Sequence, residues 1–166
     1  MAKAPRPDLV GASETSIAVQ RHHHTTTRVT FHQPARQAVL ARVGTSRPVN
    51  AFLNLENVTG SGLHGSYEVY VDVPQTDATP AGHKPLLAGH LSTFGVRAAS
   101  MADGPHAGSG NTTVLDVTKQ IHALHSEHGW DGQHLDVTLV PKIVGSQKPD
   151  QTPSDLKIGR VSVYYS

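Results

Sequence analysis

The chain has 166 residues and no cysteine. That absence removes disulfides, thiolate metal sites and cysteine nucleophiles together, and leaves the redox compartment open. Charge of one sign is also missing. Lys and Arg number 14 against 13 Asp and Glu, so there is no strongly basic face and nucleic acid is not an expected partner. Aromatics are scarce, at 5%. No transmembrane run is present, and "MAKAPRPDLVGASE" carries early positive charges without an apolar stretch behind them, so it does not read as a signal peptide. A membrane is therefore not an expected partner, and localisation stays unassigned. Several histidines and turn formers stand out instead: 12 His, 15 Gly and 11 Pro. Histidine is the commonest protein metal ligand, which raises the prospect of copper or zinc contact without establishing it.

A chain of this length suits one domain and buries roughly 70% of its unfolded surface. Residues 1–10 read as a flexible, proline-punctuated lead-in, and residues 11–166 as a single domain. Strand signals recur at 13–20, 25–32, 49–58, 67–74, 86–96, 112–117, 134–141 and 157–166. The cleanest is "YEVYVDVP", where Tyr67, Val69, Val71 and Val73 face one way and Glu68, Tyr70 and Asp72 the other. "QPARQAVLARVGTSRP" is open between a helical turn and a loop. One helix is expected in "DVTKQIHALHSEHG", capped by Asp116 or Thr118, striped by Ile121 and Leu124, and stopped at Gly129. The sum is an all-β fold: an antiparallel β-sandwich, jelly-roll-like, with about eight strands and one short helix.

Two histidine groups are candidate auxiliary metal ligands. His22, His23 and His24 are consecutive in "QRHHHTTTRVTFH", at the connection between the first two expected strands. On an extended chain adjacent residues point to opposite faces, so a turn is needed to bring all three to one ion. His122 and His125 lie about 60° apart on the expected helix and could chelate. The plainer readings are a solvated histidine-rich loop and histidines flanking an apolar helix stripe, with His128 favoured by the helix dipole. Glu127 and Asp131 read as solvated charges. The glycine-rich "GPHAGSGN" lacks the Lys-Ser/Thr ending of a phosphate loop. No catalytic residue is assigned.

Five blocks in order are more specific: "VNAFLNLENVTGSGLHGSYEVYVDVP", "LAGHLSTFGV", "HAGSGNTTVLDVTKQI", "HLDVTLVPK" and "IGRVSVYY". Together they resemble the C-terminal domain of bacterial tyrosinase-family proteins. More distantly they are similar to the C-terminal β-sandwich of plant polyphenol oxidases, with "YEVY" in place of a "KFDV"-type strand. "LVGASE" is similar to the segment that follows the catalytic domain in such proteins, so the resemblance runs over about residues 8–166. These are type-three copper enzymes, in which six histidines on a helical bundle hold two copper ions. No such bundle is encoded here, so the resemblance implies a non-catalytic domain, not an enzyme by itself. Its partner would be a catalytic dicopper tyrosinase domain, in cis or in trans.

In that family the domain covers the copper site, keeps the proenzyme latent and sometimes assists copper loading, with a loop side chain in the substrate pocket. Leu63, His64 and His106 are the plugging candidates, from the loops "TGSGLHGS" and "ASMADGPHAGSG". The fungal CxxC route of copper transfer is closed to a chain without cysteine. Tyr67, Tyr70, Tyr164 and Tyr165 are candidates for docking against the catalytic domain, or for core and edge packing. Two other functions fit the sequence. One is a free-standing histidine-rich protein that binds or delivers copper at its surface, which copper titration against a His22–His24 alanine variant discriminates. The other is a structural assembly module without metal, whose mark is a stable homo-oligomer. No cofactor is required by this chain in any of the three.

Overall fold

The computed structural model describes residues 6–32, 49–61, 65–75, 84–142 and 155–166. The ambiguous segment after His32 lies outside them. In chain order the elements are β1 (Asp8–Ser13), β2 (Ile17–Ala18), β3 (Thr25–Phe31), β4 (Ala51–Thr59), β5 (Ser66–Asp72), β6 (Leu86–Ser92), α1 (Val96–Ser100), β7 (Asn111–Asp116), α2 (Thr118–Glu127), β8 (His134–Lys142) and β9 (Lys157–Tyr165).

Alternation makes the strands. In β5, Tyr67, Val69 and Val71 are buried while Glu68 and Tyr70 face outward. In β4, Ala51, Leu53 and Leu55 point inward and Phe52, Asn54 and Glu56 outward. Asn57 then adopts φ 53° and the register with β7 shifts by one residue while that with β9 stays continuous, and Val58 turns inward again. The bulge has room because β9 carries glycine beside it: a Cβ at Gly159 would lie 2.8 Å from the Asn57 Cβ.

All the pairings are antiparallel and follow one path, β6-β5-β8-β3-β1-β9-β4-β7, with β2 attached to β9. The all-β antiparallel expectation holds. The two layers of the expected sandwich, however, are halves of a single sheet rolled back on itself. Its free ends meet where Gly89 of β6 faces Leu115 of β7; a Cβ on Gly89 would approach the Leu115 Cδ2 to 2.9 Å. Val29, Leu53, Leu55, Tyr67, Leu91, Leu135 and Val161 are among the fully buried side chains that fill the interior.

Three expectations about elements need correction. The strand expected at 13–20 is two strands. β1 begins at Asp8, within the stretch read as lead-in, and ends at Ser13, whose hydroxyl accepts the Val161 N–H (3.0 Å) and donates to the Thr15 carbonyl (3.3 Å). The strand expected at 86–96 stops at Ser92, and a second helix, α1, follows with Val96 and Ala99 buried. Five residues are too few to show helical periodicity against the strand signal before them. The long helix is where it was expected: α2 buries Ile121 and Leu124. Asp116 Oδ1 accepts the Thr118 N–H at 3.0 Å just ahead of it. No helix among the described residues is long and apolar enough to cross a membrane.

Candidate functional site

The histidines are dispersed. His22 and His23 sit in a bend between β2 and β3 and His24 follows it, all three exposed. His24 also borders a shallow depression with Tyr70, Lys84, Pro85, Thr138 and Val140. On α2, His122 is exposed, whereas the half-buried His125 packs its ring 4.6 Å from that of Trp130 at a 49° tilt. Trp130 in turn meets Phe31 edge-on at 5.2 Å and donates its Nε1–H to the His134 carbonyl (2.5 Å). His125 is therefore part of the packing that holds α2 to the sheet. Among the described residues no three His, Asp or Glu side chains are grouped to hold a metal ion.

Strand parity separates the four tyrosines. Tyr67 is wholly buried and Tyr165 is 2% exposed, so both are core residues, and this corrects their candidacy as docking anchors. Burial raises the Tyr165 hydroxyl far above its ordinary value, because the phenolate would be poorly solvated there. Tyr70 and Tyr164 face outward and are each tied to a glutamate. The Tyr70 hydroxyl donates to Glu68 Oε2 at 2.7 Å, and the hydrogen bond to that carboxylate raises its pKa. His90 and Lys142 approach the other oxygen of Glu68 at 3.9 Å each. Tyr164 donates to Glu56 Oε1 at 3.3 Å.

Glu56 is the hub of the outer face of β4 and β9. Its Oε2 receives Arg160 Nε (2.8 Å) and a second guanidinium nitrogen (2.7 Å), and its Oε1 receives the Ser162 hydroxyl (2.6 Å). Register lines up Phe52 with Tyr164, and Tyr164 with Leu9, in the adjoining row.

The segment from Thr93 to Gly110 folds over one end of the rolled sheet. Gly60 donates its N–H to Ser100 Oγ (2.9 Å) and Gly110 donates to the Ala99 carbonyl (3.1 Å). Gly110 has φ 79°, and a Cβ there would collide with the Val58 carbonyl, so glycine is required for this close approach. Between the segment and the seam of β6 and β7 lies an open cleft of about 540 Å³, bordered by Ser92, Phe94, His106, Asn111, Thr112 and Thr113. Phe94 is 93% exposed, the least covered of the large apolar side chains described. Of the plugging candidates, His106 is exposed on the rim of this cleft, and Leu63 and His64 lie outside the described residues.

Sequence reading missed Phe94 because "STFGV" looked like the end of a strand. The signal was the glycine after it: Gly95 takes φ 78° and turns the chain, leaving the ring at the apex.

A family model described as "Domain of unknown function (DUF7868)" matches residues 6–166. The chain is 26% identical over 160 residues to Tyrosinase HcTyr1 of Hahella sp. (strain CCB-MM4), covering 96% of this chain and 33% of that protein. It thus spans about a third of the length of that curated relative. Among solved structures, latent aurone synthase (polyphenol oxidase) from natural source shares the fold with TM-score 0.52 and 15% identity, over 90% of this chain and 25% of that one. The recombinantly expressed form gives TM-score 0.51 and 14% identity over the same shares. The resemblance to the C-terminal domain of tyrosinase and polyphenol oxidase proteins is borne out.

Proposed function

The chain belongs to the DUF7868 family, and on that premise we propose that it is the non-catalytic covering domain of a tyrosinase-like dicopper phenol oxidase, seated over the copper site of a catalytic domain in cis or in trans. Its match to one third of a tyrosinase supports the parentage. The observation that carries the covering role is Phe94, a large apolar ring held 93% exposed on a turn that is itself anchored to the sheet.

Seating that ring in a concave, largely apolar pocket would contribute roughly 1.5–3 kcal/mol from burial alone. A ring there excludes a phenol from the same space, and latency follows from simple competition for the pocket. Copper belongs to the partner in this reading. The described residues of this chain do not assemble a dicopper ligand set, so no step of phenol oxidation is assigned to them. The chain's contribution is steric: it blocks access and keeps water and substrate from the metal until cleavage or displacement removes it.

The test mixes the purified chain with a tyrosinase-type dicopper domain that lacks its own C-terminal domain. Phenol turnover should fall with rising chain concentration and saturate. Turnover that stays constant, with copper content also constant, rules the covering role out.

A further inference from the structure

The cleft between β6 and β7 has a chemistry that covering a copper site does not use. It opens where the hydrogen-bonded path of the sheet ends on both sides, between Leu91 and Ser92 of β6 and Asn111–Thr113 of β7. Its volume of about 540 Å³ falls within the range of small-ligand sites. None of the side chains bordering it is Asp, Glu, Lys or Arg. The polar groups are amides and hydroxyls, with one imidazole, His106. A neutral site of this kind offers no counter-charge to an ionic ligand, yet it can both donate and accept hydrogen bonds at several points.

The aromatic residue stands next to the donors. A Cβ on Gly95 would lie 3.7 Å from the Asn111 Nδ2, so the Asn111 amide is beside the turn that carries Phe94. The backbone here is also held in an uncommon conformation. The only non-glycine residues with positive φ among those described are Asn57, which borders the cleft, and Ala107, next to His106. The left-handed region disfavours alanine, and such strain concentrates at functional sites.

We propose that this cleft is a binding site for a neutral saccharide, in which the Phe94 ring stacks against the apolar face of a pyranose and Asn111 and Thr113, which share one face of β7, bond its hydroxyls. An extended peptide is the other neutral, hydrogen-bonding ligand, and two sheet edges border the cleft. Peptide recognition at an edge, however, draws its specificity from pockets for alternate side chains. The cleft presents instead one protruding ring over a polar floor. The site does not depend on the covering role. Because Phe94 serves both, a bound sugar would also compete with docking of a catalytic domain.

The test titrates the isolated full chain with neutral mono- and disaccharides, a charged uronate and a capped neutral tetrapeptide, following backbone amide shifts. The expected result is saturable shifts at Gly95, Asn111 and Thr113 with a neutral sugar. Affinity should fall about tenfold (about 1.4 kcal/mol) in Phe94→Ala. That variant truncates a ring outside the core, so its unchanged dispersion elsewhere shows an intact fold. Asn111→Ala should weaken the same sugar. No saturable shift from any neutral sugar up to roughly 50 mM overturns the proposal. So does equal binding by Phe94→Ala, or response to the uronate or the tetrapeptide alone.

Discussion

Glu56→Ala removes the acceptor shared by three side chains on the outer face of β4 and β9. Ser162 is 0% exposed, and its hydroxyl loses a 2.6 Å bond. A buried polar group left without a partner costs about 1–3 kcal/mol. Arg160 is 42% exposed, so its guanidinium is rehydrated and the lost ion pair adds only about 0.2–1 kcal/mol. The Tyr164 bond, at 3.3 Å, adds little. The expected loss is roughly 2–3 kcal/mol. Glu56→Gln keeps an oxygen for Ser162 and should lose about half as much. Urea unfolding measures both: with a slope of about 1–3 kcal/mol per molar urea, the alanine midpoint should drop by about 1 M at unchanged slope. A loss below about 0.5 kcal/mol for Glu56→Ala, the size of an ordinary surface substitution, would refute the hub. Equal losses for the alanine and glutamine variants would refute the role given to the Ser162 bond.

Trp130→Ala should destabilise the fold by about 3–5 kcal/mol in the same assay, because it empties a core position and removes the ring that lies between Phe31 of β3 and His125 of α2. Phe94→Ala should change stability by less than about 0.5 kcal/mol, since the ring touches solvent rather than core. Asp116 tests pH dependence. Its hydrogen bonds from Thr118 hold the carboxyl below its ordinary value of 3.8. The charged form is thus favoured by folding, and its contribution is complete above that value and lost as pH falls through the lowered one. Asp116→Asn keeps an acceptor for Thr118 and removes the charge. The stability gap between it and the parent should therefore be largest near neutral pH and close in acid; a gap that widens in acid contradicts the assignment.

Strand parity was legible where alternation was unbroken. "YEVYVDV" places Tyr67 inward and Tyr70 outward, as found, and the adjacent Tyr164 and Tyr165 divide in the same way. Ile121 and Leu124 marked the buried stripe of α2. The strand path was not legible, because pairing β1 with β9 joins residues some 150 positions apart and leaves no local pattern. The bulge at Asn57 was hidden for a related reason: it is enabled by Gly159 on another strand. The histidines drew attention by their number, yet His125 is explained by Trp130, a residue six positions from the nearest of the expected stripe, Leu124. Phe94 gave one faint cue, the glycine after it. Its exposure depends on the anchoring of α1 and Gly110, which only the folded chain displays.

The most direct measurement is the concentration at which this chain halves phenol turnover by a tyrosinase-type dicopper domain, compared between the native sequence and Phe94→Ala. Loss of a buried phenyl ring worth roughly 1.5–3 kcal/mol predicts that the variant needs about 10–100 times more protein for the same inhibition. Equal inhibition by the two proteins, or none by either, would contradict Phe94 as the side chain that closes the pocket.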